Sequence, residues 1–519
     1  MTVPPHRRRG RFLVGDAPTE PMPMADLLRR TPYRATPIPG EAAEDTEVRE
    51  ALDLAVRVGE LMLRCGAGAP QVQGSVAAVA AAGGVDLVEV DITLQSLIVQ
   101  ATSDTGRTHT LLRVVRATRH DYGRLVAVHR LVAALTCGDL DVKGAAVRLR
   151  EIKRHPRNFS VAAVSVASAL LASAVAVMIG ASALAALATV VVVLAVTGVN
   201  RLHRRIALPE FYANAVNAFV ATLLAGAFYA GSAAAGMGLR ERDFAYIVAG
   251  GIVAMLPGRT MAAAIEDVIF GFPLTGAGRL LAVVLSLLGL VIGIGLGLST
   301  MLSFTELLGS DFVSPDVLDL RATQSRVLAA VGGALVVGLS GAVTVQSRRR
   351  LILPTGLLSV GAAVVVAALD RASSLGTITA TGVAAVALGL GGRFLAGRLD
   401  VPSMVLVVPA SFALLPGLTI FRGLYELVAQ GSQAGSLSVQ AGLTTLLGAG
   451  AVLLAIATGT VLGELLASPF DRVRTPRGRV TGGDGDGDDR GDGDDRGDGD
   501  GDGDDRGDGD DRGDGGDRT

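Results

Sequence analysis

The sequence predicts an α-helical polytopic membrane protein, in which about ten transmembrane helices form two inverted five-helix repeats behind a small cytosolic α+β domain. Three observations support this fold class. Half of the 519 residues are apolar and the mean hydropathy is +0.47, too apolar for a soluble chain of this size. Apolar windows long enough to cross the hydrocarbon core of a bilayer follow one another from residue 160 onward. The sequence AMLPGRT at 254–260 also returns as ALLPGLT at 413–419.

The chain begins with a basic arm, residues 1–45, which has no hydrophobic periodicity and is predicted to be disordered. Residues 46–158 are predicted to form the α+β domain. Apolar residues recur at helical spacing on both sides of a break at 66–70, three alternating segments (85–90, 93–100 and 108–116) are typical of strands, and two helices follow at 122–135 and 139–153. Cys65 and Cys137 both lie in this segment, where a cytosolic location predicts free thiols.

Ten apolar windows follow the α+β segment. They cover approximately 160–180, 181–199, 211–231, 244–265, 280–300, 327–345, 351–369, 372–392, 401–421 and 439–463. Arginines accumulate in the even-numbered connections, and positive charge is retained on the cytoplasmic side, so both termini are predicted to face the cytoplasm.

The longest external connection, residues 301–326, divides the membrane part into 159–300 and 327–465, with five windows each. An odd number of spans per half gives the second half the opposite orientation. Residues 466–519 form an acidic Asp/Gly/Arg tail that has no apolar residue after Gly482 and is predicted to be disordered.

The repeated Leu-Pro-Gly segment lies in the fourth window of each half. With an offset of 159 residues, the aligned pairs are Pro257 and Pro416, Gly258 and Gly417, Thr260 and Thr419, and Asp267 and Glu426. A Pro-Gly pair removes a backbone donor, so in lipid it persists only where the freed carbonyls find protein, water or a solute. Broken helices at matching positions in two halves predict a transport site. The alternative is a proline kink that only eases helix packing.

These motifs resemble those of the threonine/serine exporter family of bacterial inner-membrane proteins. The similarity includes ELMLRCGA at 60–67, the Leu-Pro-Gly segment at 256–258 followed by Glu266-Asp267 and the glycine-rich 271–279, and LPGLTIFRG at 415–423. It extends over about residues 47–465 and leaves out the arm and the tail.

The resemblance implies a secondary transporter rather than an enzyme, located as a multi-pass protein in the bacterial cell membrane. It further implies export of small hydroxylated amino acids such as L-threonine and L-serine, driven by the proton-motive force. The expected partners are these amino acids, protons and the lipid bilayer, with no cofactor, metal or nucleic acid. The many small residues also permit a homo-oligomer.

A zwitterionic substrate needs N–H donors for its carboxylate and carbonyl acceptors for its ammonium group, and the ends of broken helices offer both. The predicted substrate site comprises Pro257, Gly258, Thr260, Pro416, Gly417 and Thr419. In the third window, Asn214 and Asn217 share one helix face and are predicted to line the path. Hydrogen bonds that only hold the bundle together explain the two asparagines equally well.

Charged residues near the two breaks are candidates for coupling transport to protons. They are Glu266, Asp267, Glu426, Arg259 and Arg422. An ionisable group within the membrane is expensive unless it has a partner or water, and a buried carboxyl group could carry the proton. The alternative places these carboxylates at the membrane surface.

A different hypothesis makes the chain a membrane-anchored hydrolase that acts through its N-terminal domain. The segment contains His109, His120 and Cys65, but no spacing typical of a catalytic triad or a metal site. A cytosolic gate or regulatory domain is therefore the preferred interpretation of this segment.

Overall fold

The computed structural model describes residues 45–470, apart from 86, 104–105, 116–117, 207, 254, 257, 309–326, 373–375 and 429–438. Nearly all of the predicted arm (1–45) and tail (466–519), and most of the predicted external loop (301–326), lie outside the described residues. The described chain is mostly helical and contains one small sheet.

Residues 45–154, called the α+β region below, form four helices and three strands. They are α1 (Asp45–Cys65), α2 (Ala69–Ala82), β1 (Val88–Thr93), β2 (Ser96–Thr102), β3 (Thr108–Val114), α3 (Tyr122–Thr136) and α4 (Val142–Arg154). The sheet is antiparallel in the order β1-β2-β3, with Val99 of β2 opposite Val90 and Leu111. Side chains of β2 alternate, so that Leu97, Val99 and Ala101 are buried in the core.

The sequence prediction of the first hairpin was wrong by a few residues. A strand was expected to begin at Thr93, whereas Thr93 ends β1 and Ser96 begins β2. The alternation of apolar and polar residues continues through the turn, and so it did not mark the boundary. Leu94 makes the turn with a φ of +53°, a left-handed backbone conformation that residues other than glycine rarely adopt.

The remaining residues form helices that the sequence identifies as apolar windows. They are α5 (Val161–Met178), α6 (Ala183–Arg205), α7 (Glu210–Ala234), α8 (Glu241–Val253), α9 (Gly258–Ile269), α10 (Pro273–Leu308), α11 (Val327–Thr344), α12 (Arg349–Ala372), α13 (Thr377–Leu399), α14 (Met404–Ala410), α15 (Gly417–Val428) and α16 (Val439–Ala467). Short 3₁₀ turns, Ser411–Leu414 and Ser468–Phe470, follow α14 and α16.

Seven of the described helices are long and apolar enough to cross a membrane, and the number is eight if α14 and α15 form one bent span. Two of the ten predicted windows are not among these eight. Window 244–265 is divided between α8 and α9, and window 327–345 forms a shorter apolar helix, Leu328–Thr344. The architecture is that of a multi-pass membrane protein.

Glycine lets the long helices approach each other closely. Helix α7 packs along α10, and α13 packs along α16. Gly293 of α10 lies against the backbone of Ala215, and Gly463 of α16 lies against that of Val386, with no room for a larger side chain at either glycine. Small residues at helix interfaces are typical of membrane bundles, where van der Waals contact replaces the hydrophobic effect.

Candidate functional site

The two Leu-Pro-Gly segments interrupt helices at matched places. After the breaks, α9 (Gly258–Ile269) and α15 (Gly417–Val428) are both 12 residues long. The second break bends the chain by 51°. Leu415 has φ −64° and ψ 132°, the extended conformation that a following proline imposes. The proline therefore ends one helical segment, and Gly417 begins the next.

The two breaks lie against each other. A Cβ atom added to Gly258 would lie 3.0 Å from Cδ1 of Leu415, and one added to Gly417 would lie 2.5 Å from Cγ2 of Val253 and 3.9 Å from Cδ1 of Leu256. The glycine of each break thus faces the leucine of the other. Because Leu256 and Leu415 are equivalent in the alignment, the contact is reciprocal.

A narrow cavity opens beside this contact. Its lining residues are Leu256, Gly258, Met261, Val283, Leu287, Leu415, Ile420 and Leu453. An adjoining cavity also contains Ser411, the single polar side chain among the described residues that line either space. The surroundings of the breaks are therefore apolar in this conformation.

The predicted substrate-site residues are distributed unevenly around the breaks. Gly258 lines both cavities and Gly417 is buried, while Thr260 and Pro416 are half-buried. Thr419 is exposed, and Pro257 lies outside the described residues. The structure places each glycine against side chains at the other break and leaves the Thr419 side chain on the surface of the chain.

The two asparagines of α7 make contacts between helices. Nδ2 of Asn214 donates to Oγ of Ser286 on α10 at 2.6 Å, and Nδ2 of Asn217 donates to Oδ1 of Asn200 on α6 at 2.8 Å. Both asparagines are buried, and neither lines the cavities at the breaks. Oδ1 of Asn217 has no hydrogen-bond partner among the described residues.

Asp267 joins the end of α9 to the α+β region. One carboxylate oxygen accepts a hydrogen bond from the backbone N–H of Ala69 at 3.0 Å, and the other pairs with Arg279 of α10. Helix α2 begins at Ala69 without a cap from its own sequence, so Asp267 supplies the negative charge that a helix N-terminus favours. Gly271, with a φ of +91°, makes the turn between α9 and α10.

Glu426 occupies the corresponding position on α15 and has different partners. Nε of Arg422 donates to Oε1 at 2.8 Å, and the hydroxyl of Thr445 on α16 donates to Oε2 at 2.7 Å. Glu266 lies beside Gly68, the residue that precedes Ala69, the hydrogen-bond donor to Asp267. The side chain of Arg259 lies outside the described residues. None of the coupling candidates that the structure describes lines the cavities at the breaks.

The α+β region also contacts the start of α10 and two connections between helices. At the β1–β2 turn, the Leu94 N–H donates to Oγ1 of Thr275, whose hydroxyl donates to the carbonyl of Ile92. The Gly123 N–H donates to the carbonyl of Gln346, and Arg130 pairs with Asp400. The α+β region is thereby attached to the chain both before and after residues 309–326.

Sequence reasoning did not identify three partners in this arrangement. Arg279 stands alone as a cation at the start of an apolar helix, and Thr445 as a hydroxyl within one, so each carried a weak signal. The N–H of Ala69 carried none, because a backbone donor depends on the fold alone. Among the described residues, no group of three or more His, Cys, Asp or Glu side chains could hold a metal ion.

Comparisons with known proteins give a consistent result. The family model described as "Putative threonine/serine exporter" matches residues 53–301, and the one described as "Threonine/Serine exporter, ThrE" matches residues 329–466. The "Probable threonine/serine exporter" of Mycobacterium tuberculosis is 30% identical over 465 residues, 89% of this chain and 83% of the relative. The "Threonine/serine exporter" of Corynebacterium glutamicum is 26% identical over 454 residues, 87% of this chain and 88% of the relative.

No solved structure matches the chain. The relatives are named as exporters rather than enzymes, and the hydrolase hypothesis is therefore not favoured. Together with the several membrane-crossing helices, these matches establish that the chain is a multi-pass membrane protein of the threonine/serine exporter family.

Proposed function

We propose that this chain exports L-threonine and L-serine from the cytoplasm across the bacterial cell membrane, driven by the proton-motive force. Two inverted five-helix repeats alternate in access around the two Leu-Pro-Gly breaks. The observation that carries this proposal is the reciprocal contact of the breaks, in which Gly258 faces Leu415 and Gly417 faces Leu256.

The helix ends at the breaks suit the chemistry of the substrate. Helices α9 and α15 begin at Gly258 and Gly417, so the positive ends of their dipoles lie at the breaks and favour a carboxylate there. The segments that precede the breaks end in carbonyl groups, which are acceptors for an ammonium group. Neither interaction requires a charged side chain in an apolar cavity.

The contacts of the connections support the inverted arrangement. The N–H of Ser182, which follows α5, donates to Asp243 at the start of α8. This contact lies at the opposite end of α5 from Asn158, which binds Gln346. The first and third connections of the first half therefore lie together, away from the α+β region. In the second half, the first and third connections contain Gln346 and Asp400, which contact the α+β region instead. Corresponding connections of the two halves thus lie on opposite sides, as inverted repeats require.

Packing within the halves and the two family matches also support duplication. In the first half the third and fifth windows pack together as α7 and α10, and in the second half they pack together as α13 and α16. The family matches cover 53–301 and 329–466 separately. The proposed cytoplasmic side is the one that holds the α+β region, consistent with the basic connections on that side.

The proposed proton carriers are the two carboxyl groups at equivalent positions, Asp267 and Glu426. Each is buried and bound to an arginine, so gain of a proton would release an ion pair at the end of a helix that follows a break. Protonation would thereby be linked to movement of α9 or α15.

Efflux from loaded cells tests the proposed function. Cells that take up labelled threonine or serine dipeptides hydrolyse them inside, and release of the free amino acid is followed with and without the protein. We expect faster release with the protein, and loss of the difference after collapse of the proton gradient. Equal release from both cell types, with the protein inserted in the membrane, would contradict the proposal.

A matched pair of proline variants tests the placement of the substrate path. Pro416→Ala restores a backbone donor at the break, and Pro257→Ala does the same in the first half. Pro354→Ala is the control, because Pro354 lies within the continuous helix α12. We expect the two break variants to abolish efflux and the control to retain it; normal efflux from both break variants would overturn the placement.

A further inference from the structure

The reciprocal contact of the breaks is not symmetrical in its distances. Around Gly258, the three nearest atoms to an added Cβ all belong to Leu415, at 3.0, 3.1 and 3.7 Å. Around Gly417, the nearest atom belongs to Val253, and Leu256 reaches only to 3.9 Å. Leu415 therefore sits on the glycine of the other half, whereas Val253 lies closer to Gly417 than Leu256 does.

We propose that Leu256 and Leu415 are the alternating gate residues of the path at the breaks. In the conformation described here Leu415 is seated on Gly258; in the opposite-facing conformation Leu256 is seated on Gly417. This inference rests on the proposed alternating access around the breaks. If each of two inverted halves adopts the conformation of the other, a transporter open to one side of the membrane becomes open to the other side. The unequal contacts of Leu415 and Leu256 are the difference between the halves that would be exchanged.

The residue types suit a gate of this kind. Leu415 occupies a notch that exists because residue 258 is glycine, and the corresponding notch at Gly417 is filled by Val253; a Cβ at either glycine would meet a neighbouring side chain within 3.0 Å. Leu415 lines both cavities, and all the other described side chains that line them are apolar except Ser411. An apolar constriction excludes water and polar solutes without any charged group. Withdrawal of one isobutyl group is then sufficient to open one side.

Two cysteine pairs test the exchange directly. One variant carries Gly258→Cys with Leu415→Cys, and the other carries Leu256→Cys with Gly417→Cys. The Cγ atom of Leu415 lies 3.7 Å from the Cβ position of Gly258, so a sulfur atom near that place is within reach of a disulfide partner. Native Cys65 and Cys137 remain, because they lie in the α+β region, and the four single-cysteine variants are the controls.

Crosslinked peptides are quantified by mass spectrometry after mild oxidation in membranes, with threonine present on one side or the other. We expect the yield of one pair to rise when that of the other falls, with opposite responses to the two threonine gradients. Equal yields of both pairs that do not respond to threonine would show static packing and overturn the proposal.

Alanine variants provide a second test that needs no crosslink. In Leu415→Ala and Leu256→Ala the seal loses an isobutyl group, and we expect threonine to cross without a proton gradient about tenfold faster than in the control, equivalent to about 1.4 kcal/mol of lost barrier. Leu447→Ala is the control, because Leu447 is 66% exposed on α16. Leak rates equal to that of the control in both variants would overturn the gate.

The outcomes separate the gate from the function. A wild-type protein that releases no threonine or serine contradicts the proposed function. A wild-type protein that releases them, together with alanine variants as tight as Leu447→Ala, contradicts the gate alone.

Discussion

Helices α9 and α15 make a natural comparison, because they share their length, their place after a Leu-Pro-Gly break and a carboxylate as tenth residue. The partners of that carboxylate differ. Asp267 binds Arg279 and the N–H of Ala69 in the α+β region, whereas Glu426 binds Arg422 of its own helix and Thr445 of α16. Helix α9 is therefore attached to the α+β region, and helix α15 is attached within the membrane part.

The exposure of the cations strengthens this difference. The side chain of Arg279 is 20% exposed, and that of Arg422 is 53% exposed. The second ion pair is therefore less enclosed by the protein than the first. The comparison indicates that the α+β region is joined to the helix after the first break, whereas the carboxylate of the helix after the second break has its partners on α15 and α16.

The largest expected effect follows loss of the Asp267 charge. In Asp267→Asn, Arg279 keeps a largely buried charge without its partner, and we expect a loss of stability of about 3–5 kcal/mol. The amount of protein in the membrane and its thermal unfolding in detergent measure this loss. Asp370→Asn is the control, because Asp370 is exposed on α12. Equal behaviour of the two variants would remove the attachment from the account.

Loss of the Glu426 charge should have a smaller effect on stability. In Glu426→Gln, the amide still offers a hydrogen-bond acceptor to Thr445, and the Arg422 side chain is less enclosed than that of Arg279, so we expect a loss of about 1–2 kcal/mol. Efflux per molecule should lose its response to the proton gradient, because this carboxyl group is a proposed carrier. If Glu426→Gln were less stable than Asp267→Asn, the carboxylate of α15 would matter more for stability than that of α9, contrary to this account.

The attachment of the β1–β2 turn to α10 should contribute a similar or smaller amount. Thr275→Val removes the hydroxyl that donates to Ile92 at 2.8 Å and accepts from Leu94 at 3.1 Å. We expect about 1–2 kcal/mol of local destabilisation, seen as faster hydrogen exchange in β1 and β2. Thr458→Val is the control, because the Thr458 hydroxyl bonds only within α16 and is exposed. Unchanged exchange in Thr275→Val would exclude this contact as an attachment.

Thiol labelling gives the smallest effect and reports on the same joint. Burial raises the pKa of the Cys65 thiol to about 12, so at pH 8 Cys65 stays protonated and unreactive. Cys137, which is half-buried, should react first with a maleimide. In Asp267→Asn, release of the start of α2 should increase the labelling of nearby Cys65. Rapid labelling of Cys65 in the unaltered protein would contradict its enclosed position.

Local chemistry explains which features could be predicted from the sequence. Pro416 lacks an N–H and forces Leu415 into an extended conformation, so the second break followed from two residues. Apolar windows likewise identified the long helices. In contrast, the contact between Asp267 and Ala69 joins residues 198 apart, and the seating of Leu415 on Gly258 depends on how two helices approach. Such contacts leave no periodic pattern in the sequence.

The candidate site shows the same division. Gly258 and Gly417 were predicted from their place in the breaks, and each lies against side chains at the other break. Thr419 was predicted by equivalence with Thr260, yet its side chain is exposed. Equivalence in sequence fixed the helix that contains Thr419, but the direction of the side chain depended on tertiary packing.

Transport by the purified protein in liposomes tests the central claim most directly. Liposomes loaded with labelled threonine are placed in medium that is more acidic than their interior, with and without the protein. We predict that the acidic exterior accelerates threonine release only when the protein is present, and that a protonophore removes the acceleration. Release that is independent of the protein, or that ignores the pH gradient, would contradict a proton-driven exporter.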